Sequence, residues 1–383
     1  MEKIHFHSFD AFRFFAFFKV FVFHSTAIVI TVEGTALQWV KDHIAYGGGI
    51  GVSFFFVLSG FLITYILAFE KINYGTINLK KFFARRAFRI WPLFYLMVII
   101  AFVIPADFAT KIGFYMNWGG YEPDWRYSFT FLENYKTIIM DVGPRTTPLP
   151  VFWSLCIEEH FYIVWMFVFF FLKRKWIPVY LCVTIVLAIV ARIYHHEIYG
   201  TENVYANDLL TNADYFSISG LLGYYTALNY KKLSDFVLRI PFWIRGLYIL
   251  LVIFILFNQY EFFGQDTWFM HIFRCTWFAL MFTSVLLVFL PTDSKLKISD
   301  TNIFTRLGKI SYGLYVYHII WIHVTLKYFK THEMVLDNWK TYLLFISITL
   351  GGTIISAILS YRYFEKPFLN LREKLFPTDK TKK

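Results

Sequence analysis

The 383-residue chain is 57% hydrophobic and 22% aromatic, with only 16% charged residues and a formal net charge of +11. An ordinary soluble domain carries about 25% charged and about 45–50% apolar residues, so this composition excludes a water-soluble globule and makes lipid the expected solvent. The basic residues fall in short clusters between apolar runs and no nucleic-acid motif accompanies them, which argues against a nucleic-acid partner.

A membrane-spanning helix needs about 20 mainly apolar residues. Ten such segments are predicted, at 9–31, 50–69, 88–105, 153–172, 176–194, 211–229, 242–259, 267–290, 309–328 and 341–362. No Pro-, Gly- or Ser-rich break divides the chain and no internal repeat stands out. The expected fold is therefore all-α: one integral membrane domain of about ten transmembrane helices bundled around a central cavity. Asp10 and Arg13 interrupt the first apolar run and no small-residue cleavage site follows, so no cleavable signal is read there.

The first segment carries Asp10, Arg13, Lys19 and His24 among Phe, Ala and Val. Ionisable groups inside a membrane are costly and usually face the bundle interior. From Arg13 to His24 a helix turns by about 1100° and rises about 16 Å, which puts both side chains on one face. Asp10 stands three residues before Arg13, placed for an ion pair. The stripe reads either as a structural pair plus a core histidine or as a functional surface.

Gly51, Ser53, Ser59, Gly60 and Thr64 line the second segment with small residues that permit close helix approach. The loop after it holds Lys71, Lys80, Lys81, Arg85, Arg86 and Arg89, and later loops on the same side hold Lys173, Arg174, Lys175, Lys231, Lys232, Arg239, Lys295, Lys297 and Arg306. The opposite loops are richer in Asp and Glu, and by the positive-inside rule both termini are expected in the cytoplasm. Arg86 and Arg89 share a helix face. Paired guanidinium groups suit phosphate, although snorkelling topology signals would look alike.

The loop at 106–152 is long and aromatic, with Trp118, Tyr121, Trp125, Tyr127 and Tyr135. Such faces suit sugar rings, or anchor a loop to lipid headgroups. The fourth segment opens with Trp153-Ser154-Leu155-Cys156-Ile157-Glu158-Glu159-His160-Phe161-Tyr162. One carboxylate near a helix start can be a capping charge; two in a row beside Ser, His and Tyr exceed what capping needs. Cys156, Cys182 and Cys275 match no metal or disulfide spacing and read as buried small hydrophobes.

Together these stretches resemble the acyltransferase-3 family, multi-pass O-acyltransferases of bacterial surface glycans. Asp10-x-x-Arg13 with His24 looks like its first-helix motif, and Gly51 to Thr64 its second-helix signature. Arg86-x-x-Arg89-Ile90-Trp91-Pro92, Trp153 to Tyr162, Ile310 to His318 and Glu365-Lys366-Pro367 also fit the pattern. The chain departs from it at Ala11, Phe12 and Phe14, where small residues are usual, and at His160, where Gln is more common.

The resemblance implies transfer of a short acyl group, often acetyl from acetyl-CoA, to a hydroxyl of a glycan or glycolipid. Acyl-CoA is then a co-substrate, with no permanently bound cofactor and no metal expected. Read with the residues, it makes His24 the general base, Arg13 a guide for the donor and Glu158, or Glu159, the group that orients the imidazole. Arg86 and Arg89 would grip donor phosphates, with Trp153, Ser154, Glu159 and Tyr162 lining the substrate path. The expected location is the cytoplasmic membrane. No appended esterase-like domain is expected, which leaves room for a separate extracytoplasmic partner protein. A transporter or flippase would use the same intramembrane charges without chemistry, and a non-catalytic subunit would keep them without use.

Overall fold

The computed structural model describes residues 4–29, 35–45, 47, 49–115, 119–199, 207–264 and 267–377, and Trp118 lies outside them. Every predicted segment meets a long helix. These are α1 (Ser8–Thr26), α2 (Gly49–Tyr74), α3 (Leu79–Val103), α4 (Phe152–Phe171) and α5 (Ile177–Tyr199). They continue with α6 (Ala213–Arg239), α7 (Phe242–Phe257), α8 (Trp268–Val288), α9 (Ser311–Thr331) and α10 (Trp339–Ser360). A shorter helix, α11 (Lys366–Leu375), follows. Among the described residues the only β pairing is two isolated bridges, Tyr115 with Thr146 and Tyr121 with Pro144.

Among the described residues, six stretches are long and apolar enough to cross a membrane, and a seventh counts if α6 and α7, bent by 92° at their break, act as one span. The chain is thus a multi-pass, all-helical membrane protein. Four of the ten helices fall outside the six: α6 and α7 qualify only together, and α1, with Asp10, Arg13 and Lys19, and α9, with His318, His323 and several tyrosines, are too polar. Elsewhere the surface is what lipid requires: Val179, Val183, Val186 and Val190 of α5, and Leu247, Leu250, Leu251 and Phe254 of α7, are all exposed.

Several boundaries differ from expectation: α6 runs to Arg239, ten residues past 229, and α2 and α5 each run five residues longer. The first helix ends at Thr26, where the Thr26 hydroxyl turns back to the Val22 carbonyl at 2.5 Å. The third starts at Leu79, well before residue 88, because the Asn78 side chain accepts the Lys81 N–H at 2.9 Å and caps it. Arg85, Arg86 and Arg89 therefore lie inside the helix.

The packing divides into two units. The first comprises Met1–Phe18, Gly49–Ile77 and His160–Lys309. Its centre is α2 against α6, where glycines permit contact between backbones: a Cβ on Gly60 would strike Ser219 and the Phe216 backbone, and one on Gly223 the Phe61 carbonyl. The small-residue reading of the second segment is the right one. A buried pair, Arg192 with Asp214 at 2.7 Å, is fully hydrogen-bonded, since Arg192 also donates to the Ile272 carbonyl at 2.6 Å and to Thr276 at 2.9 Å. Such saturation marks a structural network.

The second unit comprises Lys19–Gly48, Asn78–Glu159 and Ile310–Lys383. In it α9 packs on α10 and α3 on α11. The long loop folds around Glu133, which accepts from Ser128 Oγ at 2.5 Å and from the Tyr121 hydroxyl. Tyr121 and Tyr127 flank Lys136, 5.5 and 5.0 Å from its ammonium, whereas Trp125 and Tyr135 stay exposed. Cys156 and Cys275 are buried as expected; Cys182 is exposed on the apolar face of α5.

A polar cluster within the second unit is the candidate active site

His24 lies in the last turn of α1, half-buried, with its ring 5.3 Å from that of His318 on α9. His318 in turn stands 5.5 Å from the Tyr315 ring, one turn back on the same helix. The Tyr315 hydroxyl lies 2.8 Å from Ser154 Oγ and donates to the Val151 carbonyl at 3.1 Å. A continuous line of polar groups therefore runs from His24 through His318 and Tyr315 to Ser154. His323 stands on α9 with Thr147 Oγ1 2.6 Å from its Nδ1.

A second line starts at α4. Glu159 is 4% exposed, and its Oε2 accepts the Trp91 indole N–H at 3.0 Å. Its Oε1 is buried with no hydrogen-bond partner among the described residues. Leaving a buried carboxylate oxygen unpaired is expensive, and such an atom marks a place where a ligand or water is wanted. Arg86 acts electrostatically on Glu159, and Arg89 on Glu365. Glu365 accepts from Ser360 Oγ at 2.9 Å. The Tyr312 hydroxyl donates to the Ile90 carbonyl at 3.0 Å, which ties α9 to α3 beside these charges.

The predicted site residues distribute as follows. His24, Arg86, Arg89, Trp153, Ser154, Glu158 and Glu159 belong to the second unit, and Arg13 and Tyr162 to the first. Arg13 forms an ion pair with Asp10, as the three-residue spacing suggested. Tyr162 is buried against Phe161, ring centres 5.5 Å apart. Glu158 and Glu159 fall beyond the first turn of α4, which contains no acidic residue. Dipole stabilisation fades within that turn, so the capping reading is lost. Glu158 acts electrostatically on Tyr315 and Glu159 rather than standing alone.

His323 and Thr147 were missed by the sequence reading, and Trp91, Tyr312, Tyr315, His318 and Glu365 were noted only as parts of motifs. The signal for the histidines was present, because the cost argument that singled out His24 applies equally to two histidines in the apolar segment 309–328.

Comparison with known proteins bears on this cluster. The family described as "Acyltransferase domain" matches residues 6–361. "Peptidoglycan O-acetyltransferase OatA" of Listeria monocytogenes is 27% identical over 372 residues, covering 90% of this chain and 56% of the relative. "Putative O-acetyltransferase SAR0937" of Staphylococcus aureus is 28% identical, covering 91% of this chain and 58% of the relative. "O-acetyltransferase OatA" of Staphylococcus aureus is 24% identical, covering 96% and 57%. The chain thus spans little more than half the length of these relatives. No solved structure matches it. His24, the arginines of α3, the carboxylates of α4 and the tyrosines of α9 all fall inside the matched region, and the chain belongs to the acyltransferase-3 family.

Proposed function

We propose that this protein is a membrane-embedded O-acyltransferase that moves a short acyl group, acetyl in the simplest case, from acyl-CoA to a hydroxyl of a cell-surface glycan. Relatives named for peptidoglycan O-acetylation support a wall polymer as acceptor. The observation that carries the reading is the polar line His24–His318–Tyr315–Ser154 inside a chain matched along nearly its whole length by an acyltransferase family.

In this mechanism His24 takes the proton of the acceptor hydroxyl as its oxygen attacks the thioester carbonyl, a role suited to imidazole. The C–O bond forms, the C–S bond breaks, and the departing CoA sulfur receives the proton back from the imidazolium. Arg86 and Arg89, each acting electrostatically on a carboxylate, hold the donor phosphates. Glu158 orients the His24 imidazole and stabilises its charged form, and the Glu159 Oε1 accepts a hydrogen bond from bound substrate. Trp153 and Ser154 line the path. The protein sits in the cytoplasmic membrane with ten helices crossing it and both termini inside. The transporter alternative draws on intramembrane charge alone, which acyl transfer uses equally.

The test is transfer of label from acetyl-CoA to a glycan fraction in membranes with matched expression. Wild type is expected to transfer label, and His24→Ala to lose about 10²–10⁴-fold in rate. Arg86→Ala is expected to raise KM for the donor more than it lowers kcat. Equal labelling by wild type and His24→Ala would discard the assigned base.

A further inference from the structure

The amino-terminal residues hold a group of side chains that acyl transfer does not use. Residues 4–6 run without helical structure into α1. Phe6 turns inward, packing 5.1 Å from Phe9, 5.2 Å from Phe61 and 5.1 Å from Tyr65 between ring centres. His5 and His7 project the other way and meet, their rings 4.7 Å apart.

Asp300, just before the short helix Ile303–Lys309, faces both. Its Oδ2 is 2.6 Å from His7 Nδ1 and its Oδ1 is 3.4 Å from His5 Nε2. One donor atom from each of the three residues lies within 4.8 Å of the others. Backbone contacts hold both segments in place. The Ile4 N–H donates to the Tyr65 hydroxyl at 2.9 Å, the Ile298 N–H to Ser8 Oγ at 3.0 Å, and Thr305 Oγ1 to the Ser299 carbonyl at 2.8 Å. All these residues belong to the first unit.

We propose that His5, His7 and Asp300 form a binding site for a borderline divalent transition-metal ion, Zn²⁺ being the type, with water completing the coordination. Two imidazoles and one carboxylate are the donor mixture such ions take, at about 2.0–2.2 Å from each donor. Tetrahedral geometry at that radius separates donors by about 3.3 Å, so a small opening of the His7–Asp300 contact admits the ion. A simple His7–Asp300 ion pair explains one of the contacts; it does not explain why His5 converges on the same carboxylate. The bound ion staples the start of α1 to the segment before Ile303–Lys309, a structural role independent of acyl transfer.

The test uses full-length protein without a polyhistidine tag, stripped by chelator in detergent and titrated with Zn²⁺ alone, then with Co²⁺ as an optical probe. Wild type is expected to take up a single saturable equivalent, to give the visible bands of tetrahedral Co²⁺, and to melt at a higher temperature with Zn²⁺. His5→Ala and Asp300→Asn are each expected to weaken binding by about tenfold or more. His5 is exposed, so its replacement leaves folding intact and keeps the comparison clean. Absence of saturable binding in wild type, or equal affinity in wild type and both variants, would overturn the site.

Discussion

The Tyr315 hydroxyl touches both Ser154 Oγ and the Val151 carbonyl, so it fastens α9 to the start of α4 while standing beside His318. Tyr315→Phe removes that fastening without changing shape. A net hydrogen bond contributes about 0.5–1.5 kcal/mol, so a modest fall in detergent melting temperature is expected, with a larger fall in acyl transfer if the polar line serves catalysis. At Glu159 the two obvious substitutions separate packing from chemistry. Glu159→Ala strands the Trp91 indole N–H in the interior at about 1–3 kcal/mol, whereas Glu159→Gln keeps an acceptor for it. Near-wild-type melting of Glu159→Gln together with reduced transfer would support the substrate-binding role of the second oxygen; unchanged transfer would remove it.

Helices and loops answer to different tests. Gly308 lies against the backbone of Asp10, and any Cβ there would collide with the Asp10 carbonyl. Gly308→Ala is therefore expected to destabilise by about 1–3 kcal/mol, seen as a lower melting temperature that Gly351→Ala, at an open position, does not show. In the long loop, burial raises the Glu133 carboxyl above its ordinary value despite hydrogen bonds from Ser128 and Tyr121 that lower it. A raised folded-state value for an acid means that the protonated form favours folding. Its contribution is complete below the ordinary value of 4.5 and declines as pH rises through the folded value. Amide exchange of the loop is thus expected to quicken beyond the intrinsic rate as pH rises above 4.5, and Glu133→Gln should flatten that trend. Asp124 has the opposite sign. The Arg126 hydrogen bond lowers it to about 2, so this brace persists from neutral pH down past 3.8 and is lost only as pH falls through about 2.

Across the whole molecule, what could be read beforehand was set by local periodicity and desolvation. Ten helical segments, the small-residue face around Gly60 and the Asp10–Arg13 pair all follow from spacing along one chain segment. Polar residues in lipid are conspicuous, so His24, Glu159 and the α3 arginines stood out one by one. Which of them meet was not legible. Ser154 and Tyr315 are 161 residues apart, Thr147 and His323 176, and His5 and Asp300 295. Helix starts were misjudged where a single side chain decides them, as Asn78 does for α3.

Those long separations also set a schedule for biogenesis. A ribosome adding about 5–20 residues per second places Ser154 in the membrane roughly 8–30 s before Tyr315 exists. Throughout that interval the second unit lacks α9, α10 and α11, because everything from Ile310 onward is still to be made. The first unit, by contrast, has its last residue at Lys309. A nascent chain therefore carries His24, Ser154 and Arg89 for many seconds before His318, Tyr315 and Glu365, the groups they meet, exist. An mRNA broken just after residue 309 would yield a product that holds every residue of the first unit and lacks those three groups of the second, a difference by which membrane quality control can tell a truncated chain from a finished one.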